Sequence, residues 1–192
     1  KDHVSAESLI AGPAGTGKTW SNLFKLLQYG TQHAGSRMLI LRKTRKSLTE
    51  TALVTWEDEI LGHGHPIIGR PIQRGHRSQY VFPNASVLVP SGMDDPAKVL
   101  SSSWDLIYIN EATELSAEEW EVVGSRLGRS HDRDEQTDRY DQLIADCNPT
   151  NPHHWLYRRC KQGMTKLYET WHWDNPHYYD LVAKQWTMAG RR

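Results

Sequence analysis

The sequence has little of several features that mark other classes of protein. Its 192 residues include only two cysteines, Cys147 and Cys160, too few for a disulfide framework and suited to a reducing compartment. Basic and acidic residues balance at 23 each, so no overall field draws the chain to nucleic acid or to a membrane surface. No apolar run reaches membrane-spanning length, and no signal-peptide pattern opens the chain. We therefore expect a soluble, intracellular protein with one core, which is what this length supports.

One motif near the start of the chain indicates phosphate chemistry. The apolar run Leu9-Ile10-Ala11 is followed by a Gly-x-x-x-x-Gly-Lys-Thr sequence, the pattern of a phosphate-binding loop. In such a loop backbone N–H groups surround a polyphosphate, Lys18 reaches the terminal phosphates and the Thr19 hydroxyl holds Mg²⁺. The predicted binding residues are Gly12, Pro13, Ala14, Gly15, Thr16, Gly17, Lys18 and Thr19.

The pattern of apolar residues predicts an α/β fold. A helix is expected after the loop, with Trp20, Leu23, Phe24 and Leu27 on its buried face, and Trp56 and Trp120 are also expected in the core. Short apolar runs predict buried parallel strands, and helices should cover both faces of the sheet. The other predicted elements are strands at 38–41, 106–109, 143–145 and 166–170, an edge hairpin at 79–89, helices around 53–60 and 153–162, a helix starting at the capping box of Ser116 and Glu119, and a terminal helix after residue 176.

Polar residues follow two of the predicted strands. Glu111 comes after Leu106-Ile107-Tyr108-Ile109, at the edge where open α/β sheets bind ligands, so it is placed to orient a water for attack on a terminal phosphoryl group. The alternative is an ordinary solvated acid. Asn110 stands where many hydrolases carry a metal-supporting Asp, and an amide holds a metal-bound water without adding charge. Asn148 is either a hydrogen-bonding group near the γ-phosphate or part of a strand-ending turn.

Taken together, these motifs resemble the ATPase domain of bacteriophage terminase large subunits over nearly the whole chain. The resemblance implies a P-loop NTPase of the ASCE type, a mostly parallel sheet flanked by helices with an antiparallel hairpin at its edge. It identifies 12–19 as Walker A, 109–111 as Walker B with Glu111 catalytic, and Asn148 as the coupling residue. The stretches that carry it are Gly12 to Thr19, Arg42-Lys43, Ser91 to Pro96, Ile109 to Glu114, Asn148-Pro149 and Asp174-Asn175-Pro176.

The resemblance also implies a function and partners. ATP, with Mg²⁺, would be hydrolysed to power translocation of double-stranded DNA into a viral procapsid in the host-cell cytoplasm. The implied partners are DNA, the portal protein, the small terminase subunit and further copies of the chain in a ring, although the isolated chain could be a monomer. The nuclease domain of the family would follow position 192, so residues 1–192 are expected to form a single ATPase domain, excised or a natural fragment, without nuclease activity.

An arginine finger is expected to stabilise the charge of the transition state. The candidates are Arg126 and Arg129, after the helix that follows Glu111, and they would act on a neighbouring subunit. The alternative is that both are solvated surface residues. The sequence also departs from the family in two ways, because the loop lacks the arginine that some terminases carry there and only a short segment precedes Gly12.

Other interpretations remain open on the sequence alone. The chain could be a different ring or helicase-like nucleic-acid motor, a nucleotide-binding assembly module without turnover, or a small-molecule kinase. The basic clusters are either nucleic-acid patches or solvated faces. The histidines lack the spacing of a four-ligand zinc site. The residues concerned are Arg42 to Lys46, Arg70, Arg74, His76 and Arg77 for the basic clusters, and His63, His65, His153 and His154 with Cys160 for zinc.

Overall fold

A seven-stranded sheet forms the centre of the protein. The computed structural model describes residues 6–69, 73–128, 139–149 and 151–190. The strands of this sheet are, in chain order, β1 (Glu7–Ala11), β2 (Arg37–Arg42), β3 (Tyr80–Val81), β4 (Val87–Gly92), β5 (Leu106–Ile109), β6 (Gln142–Cys147) and β7 (Lys166–Glu169). Across the sheet they lie in the order β3-β4-β2-β5-β6-β1-β7.

Neighbouring strands of this sheet are parallel except β3 and β4, which form an antiparallel pair at one edge. This arrangement confirms the predicted mostly parallel sheet with an edge hairpin. Alternate residues of β2 enter two separate apolar clusters, Leu39 and Leu41 on one face and Met38 and Ile40 on the other. Both faces are therefore covered, which is why the inner strands read as continuous apolar runs.

Helices cover the two faces of the sheet. Leu23 and Leu26 pack with Met38 on one face, whereas Trp120 and Val123 pack with Leu39 on the other. The helices are α1 (Lys18–Gln32), α2 (Arg45–Glu50), α3 (Ala52–Val54), α4 (Pro96–Leu100), α5 (Ala117–Gly124) and α6 (Trp155–Lys161); a π-helix, Thr55–Leu61, continues α3, and 3₁₀ turns lie at Pro66–Ile68, Arg74–His76, Ala112–Glu114 and His172–Asp174. No helix in the described ranges has both the length and the apolar character needed to cross a bilayer.

The start of α5 confirms the predicted capping box. The Ser116 hydroxyl accepts a hydrogen bond from the Glu119 N–H at 3.2 Å, and the Glu119 carboxylate accepts one from the Ser116 N–H at 2.8 Å. This reciprocal pair satisfies two N–H groups that have no partner within the helix. It fixes where α5 begins after the turn that carries Glu111.

The predictions that Trp20 and Phe24 lie on the buried face of the first helix are wrong. Trp20 is 42% exposed and stacks on Phe24, which is 38% exposed, with ring centroids 5.1 Å apart. The buried side of α1 includes Asn22, Leu23 and Leu26 instead. A polar residue therefore occupies part of the buried face, and the apolar spacing alone placed that face too far toward Trp20. Trp56 and Trp120 are fully buried, as predicted.

The predicted terminal helix is also wrong. The last described segment forms a small antiparallel sheet of β8 (Tyr179–Asp180) and β9 (Gln185–Trp186). Its apolar residues do not form a buried stripe, because Val182 is 95% and Met188 is 82% exposed. Without such a stripe a helix would have no face to bury.

The strand order places the ends of three strands side by side. β6 pairs with β1 on one side and with β5 on the other, and all three run parallel. Their carboxyl ends therefore lie at the same edge of the sheet, where parallel α/β sheets bind ligands. The phosphate-binding loop follows β1, Asn110-Glu111 follows β5 and Asn148 follows β6, so these residues are brought together at that edge.

Candidate active site

The predicted phosphate-binding loop connects β1 to α1. Gly15 and Gly17 have φ angles of +82° and +87°, in the left-handed region that L residues rarely adopt. α1 then begins at Lys18, so its free N–H groups and the positive end of its dipole lie at the loop. The structure thus gives the motif the strand–loop–helix setting that phosphate binding requires.

The ammonium group of Lys18 lies inside the loop. Its Nζ donates hydrogen bonds to the carbonyl oxygens of Gly12 at 2.8 Å and Pro13 at 2.7 Å, and to Oδ1 of Asn148 at 3.2 Å. Burial lowers the pKa of Lys18, and the negative charges of Asp146 and Glu111 oppose that shift. The two carboxylates therefore favour the charged form, which is the form that binds phosphate.

Glu111 follows β5 in a strained backbone conformation. Its φ of +52° and ψ of +55° lie in the left-handed region, where a residue with a side chain is uncommon. The Asn148 amide donates to Glu111 Oε1 at 3.3 Å. Burial and the negative charge of Asp146 raise the pKa of Glu111, while Arg42 and Lys18 lower it. A raised pKa makes this carboxylate a better proton acceptor than an ordinary exposed glutamate.

Asp146, near the carboxyl end of β6, is a site residue that the sequence analysis missed. Its side chain is 1% exposed. Oδ2 accepts hydrogen bonds from the hydroxyls of Thr19 and Tyr108, each at 2.7 Å, and Oδ1 accepts them from the Glu111 N–H at 2.9 Å and the Asn110 amide at 3.1 Å. The only signal in the sequence was an acid directly after the apolar run Leu143-Ile144-Ala145. The sequence does not show that this strand lies next to the one that ends before Asn110.

The oxygen atoms around Thr19 suit a magnesium ion. The Thr19 hydroxyl and the Asp146 carboxylate are in contact, and Asn110 Oδ1 is buried with no hydrogen-bond partner in the described part of the chain. Mg²⁺ prefers oxygen ligands and takes one or two carboxylates together with phosphates rather than a cage made by protein alone. Within the described ranges, no three His, Cys, Asp or Glu side chains converge as a metal site. These residues therefore fit an ion that arrives with a nucleotide.

The segment after β7 packs against the phosphate-binding loop. Asn175 donates its amide to the Gly15 carbonyl at 2.7 Å, and a ring nitrogen of His172 lies 3.0 Å from the Ala14 carbonyl. A Cβ added to Gly12 would lie 2.3 Å from the Thr170 carbonyl oxygen, so glycine is required for this approach. Together, the loop and this segment border a cleft of about 850 Å³, and its other walls include Trp20, Glu59, Glu111 and Asn148.

The basic residues of the two sequence clusters are largely engaged by acids. Arg42 forms a two-pronged ion pair with Glu114, at 2.7 and 3.0 Å, next to the active site. Arg77 is buried and shares Glu57 with Arg74. These arginines are therefore engaged within the chain, and Arg70 lies outside the described residues.

The two arginine-finger candidates differ in what the structure describes. The carbonyl of Arg126 accepts a hydrogen bond from the Trp104 N–H at the amino end of β5, opposite the edge that carries the loop. Arg126 is therefore far from its own subunit's site, and its role in a neighbouring subunit stays a prediction. Arg129 lies outside the described residues.

The fold and the site together define a class of protein. β1 of the mostly parallel sheet leads through a Gly-x-x-x-x-Gly-Lys-Thr loop into α1, and β6 lies between β1 and β5, the strand that precedes Glu111. This arrangement is that of a P-loop NTPase of the ASCE type. The model of one family, described as phage terminase large subunit, matches residues 6–187. The chain belongs to that family.

Solved structures agree with this assignment at the level of the fold. The large terminase of a thermophilic bacteriophage superimposes with a TM-score of 0.68 at 14% identity, over 93% of this chain and 43% of that one. The same protein in complex with ATP-gamma-S gives 0.62 at 14% identity, over 97% of this chain and 47% of that one. A mutant ATPase domain of the Thermus phage P74-26 large terminase gives a TM-score of 0.60 at 13% identity, over 90% of this chain and 78% of that one.

The chain spans less than half the length of the first of these terminases, of which it covers 43%. No curated protein matches its sequence significantly.

Proposed function

We propose that this chain is the ATPase domain of a DNA-packaging motor, and that it hydrolyses ATP to drive double-stranded DNA into a viral procapsid. The observation that carries the proposal is the meeting of Lys18, Glu111 and Asn148 at one edge of the sheet, beside a glycine loop that can surround a polyphosphate. Family membership adds the packaging role. The large terminase of the thermophilic bacteriophage, which has the same fold, has been solved with ADP and with ATP-gamma-S, and this supports ATP as the substrate.

In this proposal each residue of the site has a defined task. The N–H groups of residues 12–19 hold the phosphates, and Lys18 exchanges its carbonyl contacts for the terminal phosphates. Glu111 orients the attacking water and accepts its proton, helped by its raised pKa. Asn148 contacts both Lys18 and Glu111, and these contacts support the proposal that it responds to loss of the γ-phosphate. A magnesium ion, when bound at Thr19, supplies positive charge to the phosphate oxygens.

The partners of the motor are proposals of the same kind. We propose double-stranded DNA, the portal protein and the small terminase subunit as partners, with several copies of the chain assembling into a ring in the host-cell cytoplasm. The nuclease activity of the family is proposed to belong to a different domain. Stimulation of ATP hydrolysis by double-stranded DNA and by portal-bearing procapsids, measured with the full-length subunit, would support these partners.

The central test compares two glutamates three residues apart. Glu111→Gln keeps the shape of the side chain but removes the carboxylate, so the variant should bind ATP normally and hydrolyse it about 100- to 10,000-fold more slowly. Glu114→Gln is the matched control, because Glu114 is paired with Arg42 and is expected to have a much smaller effect. Phosphate release and equilibrium binding of a fluorescent ATP analogue provide the two readouts.

The outcomes separate the competing functions. Parent protein that binds ATP but releases no phosphate, either alone or with DNA, would indicate an assembly module without turnover. Normal hydrolysis by Glu111→Gln together with loss in Glu114→Gln would move the catalytic role to Glu114. If single-stranded nucleic acid stimulates hydrolysis and duplex DNA does not, the result would favour a helicase-like motor.

A further inference from the structure

Asp146 has more contacts in the active site than its place in a strand requires. It bonds to Thr19 at the start of α1, to Tyr108 inside β5, and to both Asn110 and Glu111 at the end of β5. All four partners donate to the carboxylate, so the site is built to stabilise its negative charge. The Asp146 side chain is only 1% exposed, and burying a carboxylate charge costs free energy. Its position next to the phosphate-binding loop indicates a role beyond that of a strand residue.

At the first position after β5, an amide stands where many hydrolases carry the acid that supports a magnesium ion. Asn110 is an amide, and Mg²⁺ in nucleotide sites is held by one or two carboxylates with the phosphates. The Asn110 amide nitrogen donates to Asp146 at 3.1 Å, and its oxygen is buried without a hydrogen-bond partner in the described ranges. Asp146 is thus held by the Asn110 amide on one side and contacts the Thr19 hydroxyl on the other.

The topology explains how a neighbouring strand can supply the missing charge. β6 lies between β1 and β5, and Ala145 is in register with Ile109 and Leu9. The residue after Ala145 therefore lies beside the residue after Ile109, which is Asn110. A carboxylate moved from the end of β5 to the end of β6 stays at the same edge and remains within hydrogen-bond distance of Thr19.

We propose that Asp146, from the strand between β1 and β5, supplies the negative charge of the magnesium site in place of an acid at Asn110. Thr19 and Asp146 form the protein side of this site, and Asn110 orients the carboxylate. The inference rests on the proposed function, because it requires a nucleotide at the loop.

A purely structural role for Asp146 makes different predictions. A carboxylate that only ties α1, β5 and β6 together would, when replaced, lower stability without changing how nucleotide and metal bind to each other. Asp105 provides a matched control, because it is also fully buried, precedes β5 at the opposite end, and accepts a hydrogen bond from the Arg37 N–H at 2.7 Å. Asp105→Asn removes a buried carboxylate away from the site.

The experiment measures metal binding rather than turnover. Mn²⁺ replaces Mg²⁺, and electron paramagnetic resonance gives the free Mn²⁺ in solutions of ADP with parent protein, Asp146→Asn, Asp105→Asn, or the charge-conserving double variant Asn110→Asp/Asp146→Asn. ADP affinity is measured separately in EDTA. Asp146→Asn should weaken Mn²⁺ binding to the protein–ADP complex by about 10- to 100-fold, while ADP binding in EDTA should be unchanged or tighter. The double variant should recover most of the loss, and Asp105→Asn should show none.

The results distinguish this inference from the proposed function. Mn²⁺ binding by Asp146→Asn equal to that of the parent, or an equal loss in Asp105→Asn, would overturn the role of Asp146 while leaving nucleotide binding intact. Failure of the parent to bind ADP in either condition would instead overturn the proposed function. Should Asp146→Asn not fold, the double variant decides: parent-like Mn²⁺ affinity supports the inference, and its loss in a folded protein contradicts it.

Discussion

At the scale of single residues, the site is a set of charges that restrain one another. Lys18 is surrounded by loop carbonyls and the Asn148 side chain, and Glu111 lies between the negative charge of Asp146 and the positive charges of Arg42 and Lys18. Neither group has the pKa of an exposed side chain, and in each case burial is the largest cause. Perturbation of this kind at a ligand-binding edge is typical of a functional site.

Removal of the Lys18 charge should affect both binding and turnover. Lys18→Ala is expected to abolish measurable hydrolysis and to weaken nucleotide binding by about 10- to 100-fold, the cost of losing hydrogen bonds to a charged group. Lys25→Ala, a lysine on the same helix that bonds to Gln142 away from the loop, serves as a control. Near-normal turnover by Lys18→Ala would remove the loop from the active site.

The raised pKa of Glu111 has a consequence for activity. If Glu111 is the base, as proposed, hydrolysis needs its carboxylate. The rate should then begin to fall in acid at a higher pH than it would for a glutamate with the usual pKa of 4.5. The pH profile of phosphate release under saturating ATP measures this. A profile that stays flat down to the ordinary glutamate range would contradict the assignment of Glu111 as the base.

The same raised pKa has a consequence for stability. Because the folded protein holds the Glu111 proton more tightly than the unfolded chain, the residue favours folding at acidic pH, and this contribution is lost as pH rises through the folded pKa. Glu111→Gln should therefore have a Tm equal to the parent's at acidic pH and above it at neutral pH. Thermal unfolding at the two pH values checks the sign, and a difference that is larger in acid would contradict the prediction.

At the scale of elements, the loop depends on a segment far away in sequence. Thr170 follows β7 and donates its N–H to the Ala11 carbonyl at 2.8 Å, while its hydroxyl lies 2.9 Å from that of Thr16. His172 and Asn175 then bond to the loop carbonyls. The conformation of the phosphate-binding loop is thus supported by the segment that follows β7.

This contact predicts an asymmetry between two glycines. In Gly12→Ala the new Cβ would lie 2.2 Å from the Thr170 hydroxyl and 2.3 Å from its carbonyl oxygen, so the segment must move. We expect a loss of about 1–3 kcal/mol in the free energy of unfolding, together with weaker nucleotide binding. In Gly75→Ala the nearest atom is a Thr49 methyl at 3.8 Å, so this control should change stability by less than about 0.5 kcal/mol. Equal effects in chemical denaturation would refute the role of the Thr170 contact.

The elements that were predicted correctly are those with a strong local signal. Runs such as Met38 to Leu41 identify buried strands, and Ser116 with Glu119 identifies the start of α5. The buried face of α1 was misplaced because it includes Asn22 and Gly30, which an apolar pattern ignores. A Cβ on Gly30 would come within 2.5 Å of the Met38 side chain, so close packing and not hydrophobicity selects glycine there.

The site could be predicted only in part, for a related reason. The loop and Glu111 follow from local motifs and from the rule that ligands bind at the carboxyl edge of a parallel sheet, whereas the role of Asn148 was implied by the resemblance to terminases. The role of Asp146 depends on which strand lies between β1 and β5, and that is a long-range property that no local pattern encodes. The one signal in the sequence for the role of Asp146 was an acidic residue directly after the apolar run Leu143-Ile144-Ala145.

At the scale of the whole molecule, ion pairs use much of the positive charge close to the site. Arg42 and Lys43 pair with Glu114 and Glu119, which lie on the turn and the helix after Glu111. These pairs connect the end of β2 to the turn and the helix that follow β5, at the edge of the sheet that carries the site. A positive charge for the transition state is therefore expected from another subunit.

The last prediction concerns assembly. If Arg126 or Arg129 completes a neighbour's site, the isolated chain should hydrolyse ATP slowly when dilute, and its specific activity should rise as subunits associate. A mixture of the Glu111→Gln protein with one that carries Arg126→Ala and Arg129→Ala should recover activity, since an intact glutamate and an intact arginine can meet at one interface. Specific activity that is independent of concentration, with no recovery on mixing, would show that each subunit carries a complete site, because only a self-contained site is insensitive to its neighbours.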